Sequence, residues 1–193
     1  TIISNDSEFL SAKVEENSID IDLEEIQNDE SQNSFLDLMA DNNIICISPP
    51  GHGKTATAIS AVGKYLPNRI VTNQDLENHI DTTDEWIKTR TGIEKRHIVN
   101  QGQASVDMSV KAYYNMIKTF SINIDDIDLI IVATTTPDRV IPSTASQIQK
   151  HISAINSAAF DLSVACSGFV YGLSIATSFI KSMTYKKILL FGV

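Results

Sequence analysis

The sequence predicts an α/β fold in which strands and helices alternate through the second half of the chain. Three apolar runs of strand length, residues 128–133, 158–164 and 187–193, have the continuous hydrophobicity typical of parallel strands that are buried on both faces. Segments with helical spacing of apolar residues, Ser143 to His151 and Gly168 to Met183, separate these runs. This alternation favours right-handed crossovers and a layered arrangement of helices on a sheet.

Earlier strands are predicted from apolar runs next to turn signals. The run Ile44–Ile47 is strand-like, and residues 48–53 contain the prolines and glycines of a turn. Ala56 to Val62 is rich in β-branched residues and predicts a second strand.

Three earlier helices are predicted from caps and periodicity. We expect Asn73 to cap a helix that runs through Ile80. Thr82 or Thr83 is expected to cap a second helix, because acidic residues follow in its first turn. Residues 105–120 keep apolar side chains near helical spacing and predict a longer helix.

The charge is distributed unevenly along the 193 residues. Residues 1–43 hold twelve acidic side chains and one basic side chain, Lys13, whereas the rest of the chain carries a net charge of +2. We therefore expect residues 1–53 to form an acidic, disordered extension that ends in a turn, and residues 54–193 to form the folded domain. The mildly basic domain suits an acidic or phosphate-bearing substrate.

Other features of the sequence exclude several classes of protein. No apolar stretch approaches the roughly 20 residues of a membrane span, and no segment resembles a signal peptide. The two cysteines, Cys46 and Cys166, lie 120 positions apart without metal-like spacing, which predicts a reducing, cytoplasmic setting and no metal. The chain starts at Thr1 and stops within the run 187–193, so we interpret both ends as edges of a fragment.

Cys166 is the strongest candidate for a nucleophile. It follows the predicted strand 158–164 and directly precedes the predicted helix from Gly168, so its sulfur is expected near the positive end of the helix dipole. This placement lowers the pKa of a thiol and activates it. The alternative is that Cys166 is a small, buried, unreactive residue.

Residues 48–55 resemble the G-x-x-x-x-G-K-[ST] loop that binds nucleotide phosphates. Ser48 stands where that loop needs glycine, and the residues after Lys54 favour a strand where the loop requires a helix. The sequence therefore favours a turn followed by a strand over a nucleotide-binding loop.

Three separated stretches resemble β-ketoacyl-(acyl carrier protein) synthase III, the condensing enzyme that starts bacterial fatty-acid chains. They are the string D-T-T-D-E-W-I-K-T-R-T-G-I at Asp81–Ile93, the stretch from Val132 through Gln149, and the stretch from Ala159 through Phe169. The resemblance extends from about residue 55 to the end of the chain. It implies the first, N-terminal α/β half of the five-layered thiolase-like fold.

The resemblance also implies roles for five residues. Cys166 matches the nucleophile that acyl-CoA acylates, and Trp86 matches the aromatic residue that stacks on the CoA adenine. Arg90 and Thr82 match polar contacts to CoA, and Ile141 matches the position that shapes the acyl pocket across a homodimer. CoA enters as a substrate, and no bound cofactor, metal, membrane or nucleic acid is implied.

The implied reaction condenses the acyl group with malonyl-acyl carrier protein and releases CO₂. The histidine and asparagine that serve this step are expected beyond Val193, and neither His97 nor His151 lies in a matching motif. We therefore expect the isolated fragment to be inactive in the full reaction. Two alternatives stay open: another thiolase-like enzyme, of hydroxymethylglutaryl-CoA or polyketide type, and a non-catalytic binding remnant.

Overall fold

The computed structural model describes residues 19–20, 43–48 and 58–193. These residues divide into two compact units, a small unit of residues 66–103 and a sheet unit formed by the other described residues. Most of the predicted acidic extension, residues 1–53, lies outside the described residues, and so does most of the loop that resembles a phosphate-binding motif. The domain boundary expected after residue 53 stays a prediction.

Strands and helices alternate through the second half of the chain, as the sequence predicts. The strands are β1 (Ile19–Asp20), β2 (Asn43–Ser48), β3 (Ala58–Lys64), β4 (Arg69–Thr72), β5 (Lys95–Ile98), β6 (Leu129–Ala133), β7 (Ala158–Leu162) and β8 (Ile188–Gly192). The α-helices are α1 (Asn73–Glu77), α2 (Asp84–Thr91), α3 (Ser105–Thr119), α4 (Thr144–His151) and α5 (Gly168–Lys181). Two short 3-10 helices occupy Ile124–Asp126 and Ala165–Ser167.

The sheet unit is built on a six-stranded sheet with the order β1-β3-β2-β8-β6-β7. Strand β6 pairs in parallel with both β7 and β8, so the three long apolar runs form neighbouring parallel strands as predicted. Strand β3 occupies Ala58–Lys64, so the strand predicted over Ala56 to Val62 is confirmed for its described residues, 58–62.

Strand β2 lies in the interior of the sheet, antiparallel to β3 on one side and to β8 on the other. Its four consecutive apolar residues, Ile44 to Ile47, are almost completely buried because both faces of the strand are covered. The sequence predicts a strand here, but it assigns these residues to the extension before residue 53 and does not predict their central place.

Helices cover both faces of this sheet and form the layered arrangement that the sequence predicts. Helices α3 and α4 pack on one face, against alternate strand residues (Ile44, Cys46, Ile130, Val132, Leu189 and Phe191). Helix α5 packs on the other face, against the residues between them (Ile45, Ile47, Leu129, Ile131, Ile188 and Leu190). Because side chains alternate across a strand, each buried strand contributes to both cores.

The small unit contains α1, α2 and a two-stranded antiparallel sheet of β4 and β5 that the sequence does not predict. The prediction that Asn73 caps a helix through Ile80 is wrong, since α1 ends at Glu77 and its cap is Thr72. Thr72 and Asp75 form a reciprocal capping box: the Thr72 hydroxyl accepts from the Asp75 amide, and the Asp75 carboxylate accepts from the Thr72 amide. These two residues provide the hydrogen bonds that cap the first turn of α1, and Asn73 is the first residue inside the helix.

Candidate active site

Cys166 lies on a tight turn between strand β7 and helix α5. It is the middle residue of the 3-10 helix Ala165–Ser167, and it is exposed and forms no disulfide. The preceding residue, Ala165, has a φ of 45°, a left-handed conformation that costs a non-glycine residue about 1–2 kcal/mol. The strand-to-helix position matches the prediction, and the alternative that Cys166 is buried is wrong. The turn presents the thiol outward at the cost of local strain.

The start of α5 approaches the end of β6 closely because Gly168 lacks a side chain. A Cβ atom at this position would lie 3.1 Å from the Cβ of Ala133, which is tighter than ordinary van der Waals contact. Glycine two residues after Cys166 therefore allows the helix to begin directly above the strand end, and this fixes where the turn holds the cysteine.

Asp161, on β7, ties the strand that leads to Cys166 to the start of helix α4. Its carboxylate oxygens accept hydrogen bonds from the amides of Thr144, at 2.8 Å, and Ala145, at 2.7 Å. A carboxylate at a helix N-terminus satisfies orphan amides and interacts favourably with the helix dipole. Ile141 lies three residues before this contact, on the loop of residues 134–143. The end of this loop is therefore held by hydrogen bonds to strand β7, which leads to Cys166.

Asp138 anchors the middle of the same loop to helix α3. Its carboxylate accepts hydrogen bonds from the amides of Ser105 at 2.8 Å and Val106 at 3.2 Å, and the Ser105 hydroxyl donates to the Thr136 carbonyl at 2.9 Å. Sequence reasoning missed this contact. The available signal was Ala104 at the N-cap of α3, since alanine has no side-chain acceptor and the cap must come from elsewhere.

Ile141 itself is 85% exposed, near the end of a loop that carboxylates hold in the middle and at the end. Its peptide bond to Pro142 is cis. A large apolar side chain left open in this way is available to line a pocket or to contact another surface.

Trp86 and Arg90 lie on helix α2 of the small unit, where Thr83 is the N-cap that accepts from the Trp86 amide at 3.1 Å. Trp86 is 54% exposed, so it is not a packed core residue. The guanidinium carbon of Arg90, one helical turn later, lies 4.8 Å from the centroid of the indole ring in a cation–π contact. Together they present a half-exposed aromatic ring with a positive charge over one of its faces.

Thr82 precedes this helix, and its hydroxyl oxygen is buried without a hydrogen-bond partner among the described residues. A buried hydroxyl normally finds a hydrogen-bond partner, and this oxygen would become accessible to a ligand only if the Thr82 side chain rotated. The structure thus places Trp86, Arg90 and Thr82 together in the small unit, and Cys166 and Ile141 in the sheet unit.

The three histidines that the structure describes, His79, His97 and His151, do not form part of either group. His97 has its Nδ1 atom 2.6 Å from the Pro67 carbonyl oxygen, a structural contact, while His79 and His151 are exposed. Within residues 19–20, 43–48 and 58–193, no cluster of three or more His, Cys, Asp or Glu side chains could hold a metal ion. No helix in the same residues is long and apolar enough to cross a membrane.

Comparison with known proteins agrees with the motifs. A profile of the family described as 3-Oxoacyl-[acyl-carrier-protein (ACP)] synthase III matches residues 160–193. The β-ketoacyl-[acyl-carrier-protein] synthase III of Caldanaerobacter subterraneus is 48% identical over 72% of this chain and 42% of its own, and that of Clostridium tetani is 52% identical over 70% and 40%.

Solved structures show the same similarity. The synthase III of Aquifex aeolicus superimposes with a TM-score of 0.65 at 45% identity, covering 67% of this chain and 42% of that one. A priming β-ketosynthase from the R1128 polyketide pathway superimposes with a TM-score of 0.64 at 35% identity, covering 67% and 39%.

The fold and the thiol-bearing turn place the chain in the thiolase-like class of α/β proteins. Within that class it belongs to the β-ketoacyl-[acyl-carrier-protein] synthase III family, as the Asp81–Ile93 string and the stretch around Cys166 predict. The chain spans about two fifths of the length of the relatives that it matches.

Proposed function

We propose that this chain contributes the acyl-accepting part of a β-ketoacyl-[acyl-carrier-protein] synthase III. The observation that carries the proposal is the exposed Cys166 on a strained strand-to-helix turn, in a chain 48% identical to a protein of that name. In this reaction the Cys166 thiolate attacks the thioester carbonyl of acyl-CoA. The carbon–sulfur bond to CoA breaks, CoA leaves as a thiolate that takes up a proton, and the acyl group stays on Cys166.

The transient oxyanion of this step needs hydrogen-bond donors that are already in place. The backbone amide of Cys166 itself is one candidate donor, because it belongs to the same rigid turn as the thiol. The positive φ at Ala165 supports this role, since it turns the chain sharply just before that amide.

Trp86, Arg90 and Thr82 form the proposed contacts to CoA. The half-exposed indole offers a face on which the adenine can stack, an interaction worth about 1–3 kcal/mol per base in nucleic-acid complexes. The Arg90 guanidinium can bind a phosphate, and rotation of the Thr82 side chain would bring its unpartnered hydroxyl to the same ligand.

Ile141 is the proposed pocket residue that shapes which acyl groups are accepted, and it acts across a homodimer in the whole protein. Its exposure and the carboxylate anchors of its loop support this role, because they hold an apolar side chain at a defined place without burying it. The condensation with malonyl-acyl carrier protein uses the histidine and asparagine expected beyond Val193.

A second candidate function is priming of a polyketide chain, which uses the same acyl transfer to a cysteine. The similarity to the R1128 priming ketosynthase, at 35% identity, favours it over the hydroxymethylglutaryl-CoA type. The two candidates differ in the acyl carrier protein that accepts the product, so a comparison of the two carrier proteins as partners distinguishes them.

The CoA site can be tested directly because Trp86 is the only tryptophan of the chain. Titration of the chain with CoA is expected to quench the tryptophan emission and to saturate. The variant Arg90→Met is expected to weaken binding by a factor of about 10 to 100, since a charged hydrogen bond to phosphate contributes about 1.5–3 kcal/mol. Lys111→Met, which removes the cation over Tyr65 in the sheet unit, serves as the matched control and should leave binding unchanged. Unaltered emission at saturating CoA would contradict the proposed site.

The chain alone is expected to release no CO₂ from malonyl-acyl carrier protein. Release above that of a Cys166→Ala variant would show that residues 1–193 already hold the decarboxylating groups, against this assignment.

A further inference from the structure

Asn73 is a fully buried polar residue at the centre of the small unit. Its side-chain amide nitrogen donates to a carboxylate oxygen of Asp84 and to the main-chain carbonyl of Ile93, both at 2.7 Å. Its side-chain oxygen accepts from the guanidinium of Arg96 at 2.6 Å. Both N–H donors and the oxygen of this carboxamide are therefore engaged, in hydrogen bonds that are short for their type.

The two acceptors of the Asn73 amide stand at opposite ends of helix α2. Asp84 is the first residue of α2, and Ile93 follows Gly92, the residue that terminates the helix in a left-handed conformation. One side chain thus holds both ends of α2, while Arg96 attaches the same amide to strand β5. Trp86 and Arg90 lie on the helix between the two attachment points.

Helix α2 has little else in the small unit to fix it by burial. It is eight residues long and buries only Ile87. Isolated helices of this length are not stable in water, so their position depends on their attachments. Glu77 adds one further tie, because its carboxylate accepts from the Asp84 amide at 2.5 Å.

We propose that Asn73 is a positioning residue for the CoA site, acting through helix α2 on Trp86 and Arg90. This inference rests on the proposed CoA-binding function. Its physical basis is that Asn73 holds the helix ends at fixed places, so that the indole face and the guanidinium meet the ligand in one orientation. A leucine of similar volume could fill the space but would leave Asp84, the Ile93 carbonyl and Arg96 without these partners.

The test compares Asn73→Leu with Thr72→Ala. Thr72 is the adjacent residue, and its hydroxyl caps α1 without contacting α2, so its loss removes a neighbouring polar contact of structural value only. The readouts are the fluorescence anisotropy of Trp86 without ligand and the Kd for CoA from Trp86 emission. Both are measured at a temperature where circular dichroism shows each variant folded.

Asn73→Leu is expected to lower the anisotropy of Trp86 and to raise the Kd for CoA at least about tenfold. Thr72→Ala is expected to keep both values within about twofold of the unmodified chain, even where it lowers the melting temperature. Unchanged anisotropy and Kd in Asn73→Leu, or equal shifts in both variants, would overturn the proposal.

Failure of the CoA site and failure of the positioning role can be told apart. If the unmodified chain does not bind CoA, the proposed function fails, and the ligand-free anisotropy of Trp86 still decides whether Asn73 holds α2. If Asn73→Leu does not fold, Asn73→Ser replaces it, because a water molecule can bridge part of the vacated space. An anisotropy for this variant equal to that of the unmodified chain would then overturn the proposal, and a lower one would support it.

Discussion

Replacement of Asp161 should destabilise the folded chain more than replacement of an exposed helix-capping aspartate does. Its carboxylate accepts two amide hydrogen bonds at the start of α4, and one of the donors, Thr144, is fully buried, with a hydroxyl that also lacks a partner in the described structure. Asp161→Ala leaves these amides without an acceptor. A lost hydrogen bond to a charged group costs about 1.5–3 kcal/mol, and the two bonds share one acceptor, so we expect a loss of about 2–4 kcal/mol of unfolding free energy.

Asp138 provides the matched control, because it makes the same two-amide contact at the start of α3 but is exposed. Water can replace much of its contribution, so Asp138→Ala should cost about 1 kcal/mol, as for an ordinary helix cap. Asp161→Asn keeps one acceptor oxygen, so its loss of unfolding free energy should lie between those of Asp161→Ala and Asp138→Ala. Urea unfolding followed by circular dichroism measures all three. A loss below about 0.5 kcal/mol for Asp161→Ala, or equal losses at the two aspartates, would refute the reasoning.

Two further predictions concern the sheet unit. Gly63→Ala should cost about 3 kcal/mol in urea unfolding, because its Cβ would lie 2.5 Å from the Cβ of Met116 and 2.8 Å from a main-chain oxygen of α3. Gly172→Ala, which meets the flexible end of Leu190, should cost about 1 kcal/mol, and equal losses would contradict this ranking. Burial raises the pKa of the Cys46 thiol in the folded chain above its pKa in the unfolded chain. The neutral, buried thiol therefore contributes its full stabilisation of the folded state below about pH 8.5, the pKa in the unfolded chain, and this contribution is lost as pH rises toward the folded pKa. The melting temperature should fall as pH rises above this value, and it should fall less steeply in Cys46→Ala. The same decrease of melting temperature with pH in both chains would contradict the role of Cys46 ionisation.

The parallel strands and the longer helices could be predicted from the sequence because their signals are local. The bounds of β6, β8 and α3 lie within about one residue of the prediction, since continuous apolar runs and helical spacing are contained within each segment. The place of β2 could not be predicted in this way. Pairing with β3 and β8 depends on residues remote in sequence, and four apolar residues predict burial but not the neighbours that provide it.

In the candidate site too, residues within contiguous motifs can be predicted from the sequence, whereas contacts between segments far apart in the chain cannot. Cys166 and Trp86 can be proposed from the sequence because their motifs are contiguous strings. Asp138 was missed because it caps a helix that starts 33 residues earlier in the chain. The sequence predicts a cap at Asn73, since capping is the usual role of asparagine before a helical segment, whereas in the structure Thr72 and Asp75 form the cap and Asn73 is buried.

The central claim is that Cys166 accepts an acyl group from acyl-CoA, and mass spectrometry of the chain after incubation with acetyl-CoA tests it most directly. We expect one acetyl group on the peptide that contains Cys166, none on Cys46, which is 2% exposed, and none in Cys166→Ala. Acetylation should be lost on treatment with hydroxylamine, which cleaves thioesters. An unmodified Cys166 peptide, or equal labelling in the Cys166→Ala chain, would contradict the account.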